Sequence, residues 1–204
     1  MGKDIDMIQM RRPDTCKPLH DLIVYTSLPK ITMVEVGSYA GESADTFASM
    51  PQVQEIWCVD PWSPGYDDIG DPASKSDFSE VEAAFDKVME MHKDKIRKFK
   101  GTFREFAKSR PGVRPDLVYI DGCHQYDSVK DDIAAAIASG ATFICGHDHN
   151  WPGVGRAVAE AFGRPLRVLS DTSWICTINM NKSKEIGDAY MSRLRQERAV
   201  RNGI

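Results

Sequence analysis

Only four residues, Ser170, Asp171, Thr172 and Ser173, separate two β-rich runs near the end of this chain, 166–169 and 174–178. A crossover helix needs a dozen or more residues, so strands this close can only pair as antiparallel neighbours. Everything before them shows the opposite pattern. Apolar runs at 31–36, 55–59, 96–100, 116–120 and 141–145 alternate with helical spacings at about 42–50, 79–93, 103–108 and 126–139. Such alternation builds a parallel sheet with helices on both faces. The two patterns together predict an α/β chain with a doubly wound, mostly parallel sheet and a reversed final strand. A helix at 17–28, carrying Leu19, Leu22, Ile23 and Leu28, is expected to cover the sheet, and a charged helix at 184–201 to close it.

The segment Val34-Glu35-Val36-Gly37-Ser38-Tyr39-Ala40-Gly41-Glu42-Ser43 runs an apolar strand into a glycine-punctuated turn and a helix start. Gly37 is expected to let the backbone turn sharply and Gly41 to let the next helix approach the strand. The open amides of that helix start suit a carboxylate or a ribose hydroxyl. A dinucleotide fingerprint would read G-x-G-x-x-G, its middle glycine making room for a pyrophosphate. Here only G-x-x-x-G remains, which favours a cofactor without one. The next strand ends in Asp60, roughly 20 residues past the glycines, where an acid chelates ribose hydroxyls. Trp62 follows closely enough to flank an adenine face.

The 204 residues suit a single domain, 1–204, that buries roughly 70% of its unfolded surface. A formal net charge of -4 gives no electrostatic footprint for nucleic acid or an anionic membrane, so a small-molecule partner is favoured. No run reaches the roughly 18 apolar residues of a membrane span, and a cytoplasmic location is expected. Five cysteines without a C-x-x-C pair argue against a disulfide framework; most are expected to be small buried hydrophobes. The stretch 61–77, rich in proline and glycine and carrying Asp67, Asp68 and Asp71, is too long for an ordinary connector. It reads as a substrate lid or as a surface loop, and its acids lack the spacing of a calcium loop. Apolar positions on the leader and the final helix leave a homo-oligomer open.

Chemistry concentrates in two further turns, Asp121-Gly122-Cys123-His124-Gln125-Tyr126 and Gly146-His147-Asp148-His149-Asn150-Trp151-Pro152-Gly153, each following an apolar strand. If those strands are neighbours, Asp121 and Asp148 lie side by side, and two carboxylates that close need a cation or a proton between them. With histidines beside them they form a set for a divalent metal: Asp121, Asp148 and His149, with His124 and His149 ranked above His147 as site groups. A neutral imidazole, His124 or His149, also suits a general base. Three of the five histidines fall in these turns; His20 and His92 sit on expected helices.

Taken together, these motifs resemble class I S-adenosylmethionine-dependent methyltransferases, in the branch of small-molecule and sugar O-methyltransferases and their uncharacterised bacterial and phage relatives. The resemblance spans about 34–178. It implies a Rossmann-like seven-stranded sheet of order 3-2-1-4-5-7-6, with strand seven antiparallel. It also implies S-adenosylmethionine as donor, a small hydroxylated acceptor, and Mg2+ or Mn2+ on Asp121 and Asp148. The implied cofactor contacts are Glu35, Gly37, Ser38, Tyr39, Gly41, Asp60, Trp62, Thr102, Phe103 and Asp121, and the implied catalytic groups are Asp121, His124 and His149. Members of that branch carry a second acid two positions after the first, and paired acids after strand five. This chain has Cys123 and His147-Asp148-His149 there. The residues alone leave two rivals: a metal-dependent hydrolase or hydroxylase-like enzyme using the Asp/His cluster, and a non-catalytic cofactor-binding protein.

Overall fold

The computed structural model describes residues 16–66, 70–178 and 180–201, the side chains of 180–187 and 201 excepted. Its strands are β1 (Ile31–Val36), β2 (Val53–Asp60), β3 (Ile96–Lys100), β4 (Leu117–Ile120), β5 (Phe143–Gly146), β6 (Arg167–Val168) and β7 (Trp174–Thr177). They form one sheet of order β3-β2-β1-β4-β5-β7-β6. The pairs β1/β2, β1/β4, β2/β3 and β4/β5 are parallel, whereas β7 runs antiparallel to both β5 and β6. The short link before Trp174 therefore does what its length dictates. Strand order reverses between β1 and β4, and at such a point the chain leaves a crevice beyond the carboxyl ends of the strands.

Two apolar layers sandwich the sheet. In β1 the alternation is plain: Ile31 and Met33 face the layer formed by α1 (Lys17–Thr26), α2 (Glu42–Ala48) and α3 (Phe78–Met91). Val34 and Val36 face α4 (Phe103–Ser109), α5 (Tyr126–Ser139), α6 (Pro152–Phe162) and α7 (Met180–Arg201). Phe47 meets the edge of the Tyr119 ring at 5.1 Å in the first layer, and Ile133, Val158 and Trp174 fill the second. Each such side chain contributes about 1.5–3 kcal/mol by leaving water. Cys58, Cys145 and Cys176 are buried within strands, as expected of small apolar side chains.

Several boundaries shift by a few residues, and three places differ from the sequence expectation in a way that has a physical reason. Helix α1 stops at Thr26 because Ser27 turns left-handed (φ 57°) and Leu28 precedes a proline, which disfavours helix at that position. Helix α6 stands where Pro152 and Gly153 read as turn residues. Proline at the first helical position costs nothing, since its missing N–H would have no partner there, and Val154, Ala157 and Val158 give the helix a buried face. Among the described residues of the long segment 61–77 a 3-10 turn forms at Pro72–Lys75; of the segment's acids, Asp67 and Asp68 lie outside the described residues.

Candidate active site

A cavity of about 730 Å³ opens at the carboxyl ends of β1, β2, β4 and β5. One end is built by main chain. Gly37 has φ 83°, and a Cβ placed on it would stand 2.2 Å from the Asp121 carbonyl oxygen, so the β1 and β4 turns touch only because this residue has no side chain. Gly41, at the start of α2, lies against α3, not the strand it was expected to accommodate: a Cβ there would stand 3.1 Å from Val88. The Asp60 carboxylate accepts the amides of Tyr39 at 2.9 Å and Trp62 at 2.6 Å, tying the β1 and β2 turns together. Burial raises its pKa, and the Tyr39, Trp62 and Ser38 amides pull it back. The Trp62 indole N–H donates to the Tyr39 carbonyl at 2.8 Å while its ring packs on Phe85 at 4.7 Å, so it braces the turn from behind and does not line the cavity.

Beneath the turn, Glu35 is fully buried and its carboxyl oxygens have no partner of normal hydrogen-bond geometry. Burial pushes it up to about 7, opposed by the nearby Ser38, Ser43 and Cys58 side chains. Across the cavity, Thr102 and Phe103 begin α4 through a capping box with Glu105. Ser128, Asp131 and Asp132 of α5 line the same wall, at the i, i+3, i+4 spacing of one helix face, a pattern visible in the sequence itself. Desolvation pushes Asp132 up to about 7, with Asp131 adding to the shift.

At the other end the groups are side chains. Oxygen and nitrogen atoms of Asp121, His124 and Asp148 lie within 4.8 Å of one another, a donor set that could hold one cation. His124 stacks on Trp151 with ring centroids 4.5 Å apart. Its two nitrogens stand 3.2 Å from Asp71 and 2.9 Å from Asp148, ion-pair distances without the alignment of a hydrogen bond. Burial opposes its charge, yet the Asp148 and Asp71 carboxylates win and push His124 up to about 10. Asp148 is reciprocal: burial disfavours its anion, but His124 and His147 hold it well below the usual carboxylate range. Asp148 adopts a left-handed backbone (φ 54°), which aspartate tolerates better than most residues.

The structure thus brings Gly37, Ser38, Tyr39, Asp60, Thr102, Phe103, Asp121, His124 and Asp148 to one cavity, with Glu35, Gly41 and Trp62 behind its wall. His149 does not line it. Its amide donates to Thr172 at 3.2 Å, and the left-handed turn at Asp148 brings His147 to the cavity in its place, 3.0 Å from Asp148. The metal set expected with His149 is assembled geometrically with His124. Asp71, Trp151 and Asp171 also line the cavity without having been singled out as site residues. Of the helical histidines, His92 pairs with Asp45 at 2.6 Å, an ordinary packing role.

A family model described as a methyltransferase domain matches residues 34–149, more than half of the chain. No curated protein matches. Among solved structures, the chain is similar to CalS11, calicheamicin methyltransferase (TM-score 0.63, 17% identity, 84% of this chain and 81% of that one). An apo form of CalS11, described as TDP-rhamnose 3'-O-methyltransferase, gives a TM-score of 0.57 at 16% identity, covering 84% and 82%. Cofactor-bound Rv0187 from MTB gives 0.56 at 14%, covering 82% and 81%. At these identities the likeness speaks for the fold.

Proposed function

Since the chain belongs to the methyltransferase domain family and is an S-adenosylmethionine-dependent methyltransferase, we propose that it methylates a hydroxyl of a small molecule, a sugar or natural product, with help from a divalent cation. The observation that carries this reading is the single cavity joining the Gly37/Asp60 turns to the Asp121/His124/Asp148 set. Hydrolase chemistry loses its ground with the family. O-methylation is favoured because a hydroxyl, unlike an amine, must shed charge before it attacks, and the acid–histidine end offers the groups for that.

The Gly37 turn and Asp60 would hold the donor's amino acid and ribose, with Thr102 and Phe103 beside its adenine. Carboxylates line this cavity from several elements, Asp60, Asp121, Asp131 and Asp148 among them, a field suited to a cationic sulfonium. Asp121, His124 and Asp148 would hold Mg2+ or Mn2+, which when bound lowers the pKa of an acceptor hydroxyl. His124, clamped between Asp71 and Asp148, keeps its proton at neutral pH while no cation is bound and would give it up on ligating one; in neither state does it offer a lone pair to the acceptor, so the role of base passes to His147. The acceptor oxygen bonds to the methyl carbon in line with the carbon–sulfur bond; that bond breaks with its electron pair going to sulfur, and the hydroxyl proton goes to His147. Holding oxygen and methyl carbon in that line supplies a large part of the roughly 7–11 kcal/mol available to oriented reactants. No described helix is long and apolar enough to cross a membrane, and a small acceptor reaches such a cavity from water.

The test is methyl transfer from labelled donor to a panel of polyhydroxylated glycosides, catechols and matched amines, with product analysis by NMR. O-methyl products, lost with chelator and restored by Mg2+ or Mn2+, are expected. Products methylated only on nitrogen would overturn the choice of acceptor, and full activity in chelator the role of the cation.

A further inference from the structure

A second cavity, of about 840 Å³, lies on the helical face between α4, α5 and α7, outside the site described above. Its size falls in the range of small-molecule pockets. The floor is apolar, with Phe106, Ala135 and Leu194, and the rim is basic, with Arg110 and Arg114 from the loop after α4 and Arg195 and Arg198 from α7. The acid in its lining, Glu197, is engaged by Arg104 and Lys108. Arg195 and Arg198 make no ion pair or hydrogen bond among the described residues, although both line the cavity. Tyr190 lines it too; it is 3% exposed and its hydroxyl has no hydrogen-bond partner.

A buried hydroxyl without a partner is uncommon, because the water it gave up is not replaced. Burial pushes Tyr190 up to about 12, so the phenol keeps its proton and remains a donor. A buried donor, exposed guanidinium groups and apolar side chains in one lining match one kind of molecule. We infer that this groove is a second ligand site, taking a small amphipathic anion: a carboxylate or phosphate carried on an apolar body. Guanidinium forks meet such oxyanions bidentately, and the concave apolar floor suits a compact ligand better than a nucleic-acid backbone. Phe103 lines this groove and the cofactor cavity alike, so an occupant here would press on a wall shared with the donor.

The test uses the full chain saturated with S-adenosylhomocysteine, so that the cofactor cavity is filled, and the fluorescent apolar sulfonate 1-anilinonaphthalene-8-sulfonate as probe. One probe is expected to bind per chain and to be displaced by decanoate or decyl phosphate, the stronger of the two identifying the headgroup, but not by decylamine or decanol. Arg195→Glu with Arg198→Glu should weaken the probe by about tenfold or more. Tyr190→Phe, which removes one oxygen, should weaken the preferred competitor by about threefold. Retained thermal stability and retained S-adenosylhomocysteine affinity confirm that both variants fold. Equal displacement by decylamine, unchanged binding in folded variants, or displacement by a short oligoribonucleotide at the same concentration would each overturn the proposal.

Discussion

The two ends of the large cavity are built from different materials. At one end the backbone does the work: the turns after β1 and β4 meet at Gly37, and the Asp60 carboxylate is held by two amides. At the other, the groups are side chains from three separate segments, Asp71, the turn after β4 and the turn after β5, held together by opposite charge. Main-chain contacts are set once the sheet forms. A cluster of ionised side chains is held only while its charges stay balanced, so it can be retuned by one substitution. In the proposed reaction the first end would take the cosubstrate shared across the family, and the second the acceptor that varies.

Breaking the comparison at its strongest point means adding one carbon. Gly37→Ala should cost roughly 3 kcal/mol of stability and at least a hundredfold in S-adenosylhomocysteine affinity, read by thermal unfolding and calorimetry, since its Cβ would overlap the Asp121 carbonyl at an unfavourable φ. Glu35 tests whether the floor of the main-chain end is strained. Its folded pKa, about 7, lies above the ordinary value of 4.5, so between those pH values the folded chain keeps a proton that the unfolded chain has lost. Stability should therefore fall as pH rises from about 4.5 to 7 and level off above, by up to roughly 3 kcal/mol. Glu35→Gln should remove its own share of the pH slope in denaturant titrations, leaving a comparable share from Asp132, whose pKa is raised to about 7 as well.

Asp148→Asn separates the two ends: turnover should drop about a hundredfold while S-adenosylhomocysteine binds as before. Equal losses of both would mean that the ends are not independent. Asp60→Ala should do the reverse, weakening that binding about tenfold by freeing the Tyr39 and Trp62 amides, and unchanged calorimetry would remove Asp60 from the cofactor site. The smallest effect is expected from His149→Ala, within about twofold of the parent turnover, against a large loss for His147→Ala. A large loss at His149 would return it to the site.

The same contrast explains what could be read without coordinates. Sheet order and the reversed last strand follow from linker lengths and periodicity, which are local properties of the chain. Gly37 and Asp60 are legible because strand ends have a fixed place in a parallel sheet. His124 is legible for the same reason, but the choice between His147 and His149 is not, because the left-handed backbone at Asp148 exchanges one for the other, and no pattern in the residues announces that turn. Asp71 belongs to a segment whose path over the cavity depends on distant partners, His124 above all. Trp62 misleads for a related reason: proximity to Asp60 in sequence suggests a cofactor platform, while its ring finds Phe85.

The place of β7 has a consequence for how the molecule comes into being. Because β7 slots between β5 and β6, the edge of β5 stays open until residue 177 has left the ribosome, long after the turns that follow β1 and β2 have been synthesised. A nascent chain halted before Trp174 would expose that unpaired edge to any neighbouring strand, so aggregation of shortened chains is expected to begin there.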